Sequence, residues 1–254
     1  MDIAAFIEPY QGAEILEARS AVWGGYSLVN AELRGMKRLL AMNDRWTHFI
    51  NLSGQDFPLK SQAYIRDFLR AHPGRQFIRA LDQIAIRPET MNRLSHHFVE
   101  AFGRIFRTRL PRRFMKDTRP YIGTQWKAVT RSFCEFSVHD PRANRFKKFY
   151  AQSFIADEGF FQTLMMNSPG HGRVMNDDLR SIDWVPDGDI KLRPRTFVTA
   201  DAARLMASPN LFARKFGADE DSHILSSLEK NVSHGAGSIY KPSDRTPAEL
   251  LQVA

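Results

Sequence analysis

Between residues 46 and 81 the chain reads strand, helix, strand, and that order constrains its fold more than any other feature. Trp46-Thr47-His48-Phe49-Ile50-Asn51-Leu52 interleaves aromatic and β-branched residues as a strand does, and Ser53-Gly54-Gln55-Asp56 breaks it. Ser61 can cap the helix that follows, Pro73-Gly74 ends it, and residues 76–81 are strand-like again. A strand, a helix and a strand at this spacing make a βαβ unit. The expected class is therefore α/β, with an open, mostly parallel sheet flanked by helices. A chain of 254 residues is long enough to bury the core such a sheet needs.

Other segments extend the pattern. Leu28, Leu33, Met36, Leu39 and Leu40 recur at helical spacing, so residues 27–42 are expected to be a helix capped by Ser27. A helix is expected over residues 89–107, then a basic connection, a strand over 125–130 and a helix over 144–153. Asp157 opens a helix that runs to about Asn167 with Phe160, Phe161, Leu164 and Met165 on its apolar face. Strand-like pieces lie within 173–184, Thr199 caps a short helix through Ala207, and residues 219–230 make another. From Ser233 onward Gly, Pro and Ser accumulate. The expected organisation is one domain over 1–232 and a loose tail over 233–254.

Composition removes several function classes. The single cysteine, Cys134, excludes an internal disulfide, and its setting Ser132-Phe133-Cys134-Glu135-Phe136 suits a buried structural thiol. No stretch approaches the roughly 18 apolar residues of a membrane span, and no basic-then-apolar leader opens the chain, so a cytoplasmic location is expected. The eight histidines are scattered, with His96-His97 the only adjacent pair, and no metal is expected. No Gly-x-Ser-x-Gly supports a serine hydrolase. Gly24-Gly25 precedes a helix and could turn backbone N–H groups toward an anion.

The net charge of +8 is concentrated. Arg104, Arg107, Arg109, Arg112, Arg113, Lys116 and Arg119 face one acid, Asp117. This run from Arg104 to Arg119 suits either a solvated face or a peripheral contact with an anionic membrane. Binding of nucleic acid is not expected. Read alone, Asp157-Glu158 is a helix-start pair complementing the helix dipole, and Arg193, Arg195, Arg214 and Lys215 are surface charges.

The order of short segments gives a sharper reading. Val22-Trp23-Gly24-Gly25-Tyr26-Ser27 is followed by Asn51-Leu52-Ser53-Gly54-Gln55-Asp56-Phe57-Pro58-Leu59-Lys60 and Gly123-Thr124-Gln125-Trp126. Then come Ala156-Asp157-Glu158-Gly159-Phe160-Phe161, Asn176-Asp177-Asp178-Leu179-Arg180-Ser181-Ile182-Asp183-Trp184 and Leu211-Phe212-Ala213-Arg214-Lys215-Phe216. Over about residues 1–230 this resembles the core-2/I-branching β-1,6-N-acetylglucosaminyltransferases and peptide O-xylosyltransferases of glycosyltransferase family 14.

The resemblance implies a GT-A-type fold and an inverting transfer from a UDP-sugar donor to a saccharide or other hydroxyl acceptor, with no cofactor and no metal. It places the catalytic base at Glu158 and the diphosphate-binding cations at Arg195, with Arg193 a near competitor, and Lys215. Trp184 falls on the aromatic residue that packs against acceptor sugar, and Asp56 on the nucleotide-sugar site. The family's first strand and helix would precede Met1, so the fold is expected to lack that unit, with Asp2 the remnant of a His-x-Asp in the donor site. The pattern suggests a bacterial-type relative. The alternative is a truncated, non-catalytic relative that binds glycan or a partner protein.

Overall fold

The computed structural model describes residues 3–10, 12–187 and 192–233. Asp2 and all of the expected tail except Ser233 lie outside the described residues. In chain order the first half contains α1 (Ile3–Ile7), α2 (Tyr26–Met42), β1 (His48–Ile50), β2 (Asp56–Pro58), α3 (Gln62–Ala71), β3 (Arg75–Ile78), β4 (Leu81–Asp82) and α4 (Gln83–Ile86). A 3-10 turn over Pro88–Arg93 leads to β5 (His96–Ala101), β6 (Arg104–Pro111), β7 (Tyr121–Ile122), β8 (Lys127–Thr130) and α5 (Arg131–His139). Then follow α6 (Asn144–Tyr150), a 3-10 turn over Ala156–Glu158, α7 (Phe160–Met166), β9 (Arg173–Val174), β10 (Arg180–Ile182) and β11 (Trp184–Pro186). The last elements are β12 (Leu192–Pro194), a 3-10 turn over Thr199–Asp201, α8 (Ala202–Met206), β13 (Phe212–Arg214) and α9 (Ser222–Ser233).

The α/β class stands, but the sheets are mixed rather than mostly parallel. The central sheet has the order β1-β8-β3-β9. Both β1 and β3 pair antiparallel with β8, so they run in the same direction on either side of a reversed strand, with α3 crossing between them. Only β3–β9 is a parallel pair in this sheet. The expected strand–helix–strand unit is therefore present and split. All four residues of β8 are buried. Burial on both faces marks a central strand, while apolar periodicity carries no information on strand direction. A second sheet, β10-β13-β2, is likewise half parallel and half antiparallel.

The helix expected over 89–107 is corrected to a turn and a β-hairpin. Strands β5 and β6 pair antiparallel and reverse through Phe102 and Gly103, whose φ angles are 52° and 71°. Two successive left-handed residues form the turn whose twist matches a two-residue hairpin. Local alternation explains the outcome: Phe98 is buried while its neighbour Val99 is exposed. Two helix starts also differ from expectation. Ser27 does not cap α2. Its hydroxyl accepts from the Val22 N–H at 2.8 Å, and its own N–H donates to the Glu100 carboxylate at 3.1 Å. Thr199 donates through its N–H and hydroxyl to Asp221, at 2.7 and 2.8 Å. Ser61 does cap α3, accepting from the Tyr64 N–H at 3.2 Å.

Three apolar clusters hold the elements together. The largest joins α2, α5, α6 and α7 around Phe133, Phe146, Phe160 and Phe161. A second surrounds Phe68, Phe77, Leu179 and Phe212, and a third surrounds Phe197, Leu205, Phe216, Ile224 and Leu228. Each buried phenylalanine contributes about 1.5–3 kcal/mol, so removing one from a cluster is felt well beyond its neighbours. Cys134 is fully buried in the first cluster, and burial pushes its thiol up to about 12.

Candidate active site

A cleft of about 270 Å³ opens beside the second sheet, and its walls include Arg79, Thr124, Asp178, Arg180, Trp184 and Arg204. Behind it lies a buried charged layer. Asp56, on β2, has a side chain only 1% exposed. It accepts from the Ser53 N–H and hydroxyl at 3.1 and 3.2 Å, which closes the loop after β1. The guanidinium groups of Arg180 and Arg214 approach the same carboxylate at 3.9 and 3.6 Å. Both arginines lie against the indole of Trp126, at 5.1 and 4.1 Å from ring to guanidinium carbon.

Burial lowers the pKa of both groups, to about 10 for Arg180, which still leaves it charged at neutral pH. Arg180 Nε and both Arg214 Nε and Nη1 are buried without a hydrogen bond among the described residues. Arg180 faces the Asp178 carboxylate as well as that of Asp56, while Arg214 faces Asp56 and keeps two donors to spare.

A second charged group borders the cleft. The Arg195 guanidinium donates to Asp183 at 2.7 Å and to Asp201 at 2.8 Å. Arg204 donates to the same two carboxylates, at 2.7 and 3.3 Å. The Arg195 side chain holds the Asp201 carboxyl well below the usual carboxylate range. Lys215 joins Arg195 through the backbone: its N–H donates to the Arg195 carbonyl at 3.5 Å, and its carbonyl accepts from the Phe197 N–H at 2.9 Å. Two segments 20 positions apart in the chain are thus joined at their backbones.

Glu158 ends the 3-10 turn that precedes α7. Its side chain is 35% exposed and accepts from Arg93 Nη1 at 2.8 Å. Its carbonyl accepts from the Gly123 N–H at 2.9 Å, and Gly123 adjoins Thr124 of the cleft wall. A Cβ at Gly123 would stand 1.9 Å from the Arg79 carbonyl oxygen, so the segment between β7 and β8 can approach this closely only with glycine there. Asp157 points the other way. It is buried, its Oδ1 has no hydrogen bond among the described residues, and burial together with the adjacent Glu158 pushes its carboxyl up to about 7. Neighbouring Lys127 and Glu32 form an ion pair at 2.6 Å, and burial drives both groups toward their neutral forms.

The family profile described as Core-2/I-Branching enzyme matches residues 3–207. This chain belongs to the core-2/I-branching family. Xylosyltransferase 2 of Mus musculus is 28% identical over 267 residues, covering 97% of this chain and 30% of its own length. Xylosyltransferase 1 of Rattus norvegicus is 28% identical over 247 residues, covering 89% of this chain and 30% of its own. The chain therefore spans about three tenths of the length of these curated relatives.

In this core-2/I-branching protein the structure brings some expected residues together and leaves others apart. Trp184 lines the cleft, and Arg195 reaches it through Asp183, which is also part of the wall. Arg193 is more peripheral, 3.8 Å from Asp187. Asp56 is not in the wall and acts from behind, through Arg180 and Arg214. Glu158 is not in the wall either, standing one hydrogen bond and one residue from it.

The Glu158 partner Arg93 escaped notice because residues 89–107 read as one helix. The Arg79–Thr124–Asp178 corner escaped because its members are far apart in sequence; Thr124 donates to Asp178 at 2.7 Å. The metal expectation also passed over two Asp-x-Asp triplets, Asp187-Gly188-Asp189 and Asp219-Glu220-Asp221. Asp189 lies outside the described residues, and the Asp221 carboxylate already accepts from Thr199 and from the His223 N–H. Among the described residues no group of three His, Cys, Asp or Glu side chains could hold a metal ion.

Proposed function

We propose that this protein is an inverting glycosyltransferase that moves N-acetylglucosamine or xylose from a UDP-sugar to a saccharide or other hydroxyl acceptor. Glu158 is the base in this reading, taking the acceptor proton as the oxygen attacks the anomeric carbon. One observation carries it: in a core-2/I-branching chain, a partly exposed carboxylate held by Arg93 belongs to the residue whose carbonyl holds Gly123, beside Thr124 of a cleft walled by Trp184. Arg93 holds the Glu158 carboxylate in place through its 2.8 Å hydrogen bond, and an indole face suits the C–H surface of a pyranose.

Arg195 and Lys215, adjacent through their backbones, are the fixed cations for the leaving diphosphate, where charge develops as the bond breaks. Since Asp183 and Asp201 already neutralise much of Arg195, Lys215 carries the larger share of that work. Transfer then needs no metal.

The test is a set of variants assayed for transfer and for UDP binding by calorimetry. Glu158→Gln loses at least about 100-fold in turnover while UDP affinity stays within about twofold. Lys215→Ala weakens UDP binding by about tenfold or more. Activity persists in excess EDTA. Near-normal turnover in Glu158→Gln removes the base assignment, and loss of activity in EDTA removes the metal-free reading.

A further inference from the structure

The β5–β6 hairpin carries a surface that the transferase reading does not use. Phe102, at the turn, is 98% exposed. Val99 and Phe106, directly opposite each other across the two strands, are each 47% exposed, and Leu110 further along β6 is 67% exposed. These side chains add nothing to the three clusters, and water offers them nothing. Exposed cations are interleaved with them: Arg104, Arg107 and Arg109 on the strand, then Arg113 and Lys116 beyond it. At the root of the same hairpin a shallow cleft of about 560 Å³ is lined by Arg112, Arg113, Lys116, Arg145 and Lys148, with no carboxylate in its wall.

We propose that this hairpin docks the protein onto an anionic lipid bilayer. Phe102 and Phe106 enter the interfacial layer and the flanking arginines meet lipid phosphates. Charge complementarity selects this occupant. A second copy of the chain would set cations against cations. A nucleic acid would satisfy the arginines but leave the aliphatic Val99 and Leu110 in water. A bilayer interface takes both, since aromatic rings favour the headgroup level and cations favour its negative surface. No helix of the described residues is long and apolar enough to cross a membrane, so the contact lies on the surface. The inference does not depend on which sugar is transferred.

Flotation with phosphatidylcholine vesicles, alone and with about 30% phosphatidylglycerol, tests it. The protein is expected to float with the anionic vesicles only, and salt at about 0.5 M is expected to weaken that binding. A Phe102→Ser/Phe106→Ser variant and an Arg104→Glu/Arg109→Glu variant should each lose at least about tenfold in partitioning. Both should keep the wild-type Tm and transfer to a soluble acceptor. A Phe102→Trp variant should show blue-shifted emission on the anionic vesicles.

Equal binding to both vesicle types, or none to either, overturns the proposal. So does binding that the arginine variant loses and the phenylalanine variant keeps, which is the behaviour of a simple polyanion site. Self-association that Phe102→Ser abolishes, without vesicle binding, assigns the surface to a second copy instead.

Discussion

Asp157 and Glu158 are adjacent carboxylates with opposite surroundings. Glu158 leans on Arg93 and meets solvent, while Asp157 is buried with one oxygen unpartnered. The Asp157 carboxyl sits at about 7 in the folded protein, against an unfolded value near 3.9. Between those values the native state holds a proton that the unfolded chain has released, so stability falls as pH rises from about 4 to about 7. Replacing Asp157 with Asn should flatten that slope and raise stability at about pH 8 by roughly 2–4 kcal/mol. Urea unfolding across the pH range measures it, and an unchanged slope contradicts the assignment. The pair is visible in the sequence as a helix-start motif, but which acid is buried is not. That depends on Lys127, Glu32 and Arg93, which come from three other segments.

At the scale of elements, the strand–helix–strand unit and the helices α2, α3, α6 and α9 were legible because their apolar spacing is regular. The direction of β8 was not, since period-two burial is the same for either direction. The β5–β6 hairpin was missed because the Phe102-Gly103 turn is short and Phe is a rare occupant of a left-handed site. The site shows the same division. Trp184, Arg195, Lys215 and Glu158 stand inside recognisable short segments, whereas the Arg79–Thr124–Asp178 corner exists only after folding. That corner depends on Gly123, between β7 and β8. A Gly123→Ala variant should lose about 2–4 kcal/mol, because the added carbon meets backbone rather than a movable side chain. Gly54→Ala, where nothing lies within 4 Å, should stay within about 0.5 kcal/mol. Thermal melts of the two variants side by side separate crowding from a general cost of losing glycine.

Across the whole molecule, the cleft borders the third cluster through Leu205, and β13 joins that cluster to the second. Phe212 of β13 packs in one, while its neighbour Ala213 and Phe216 pack in the other. A ligand that binds only the folded state stabilises it by mass action. UDP at about 100 times its Kd should add about 2.7 kcal/mol and raise Tm by about 5–11 °C, and Lys215→Ala should reduce the gain at the same concentration. Differential scanning fluorimetry reads both.

The bond from the Ser27 N–H to the Glu100 carboxylate gives the outlying hairpin a mechanical role. Glu100 is two residues from the exposed tip, and its partner sits in the first turn of the 17-residue helix α2. The hairpin is therefore a lever with its fulcrum on that helix, not a free flap. Tyr26, beside the fulcrum, lies edge-on to Phe160, just beyond the turn that holds Glu158. One chain of contacts thus runs from near the hairpin tip, through the start of α2, to the first residue of α7.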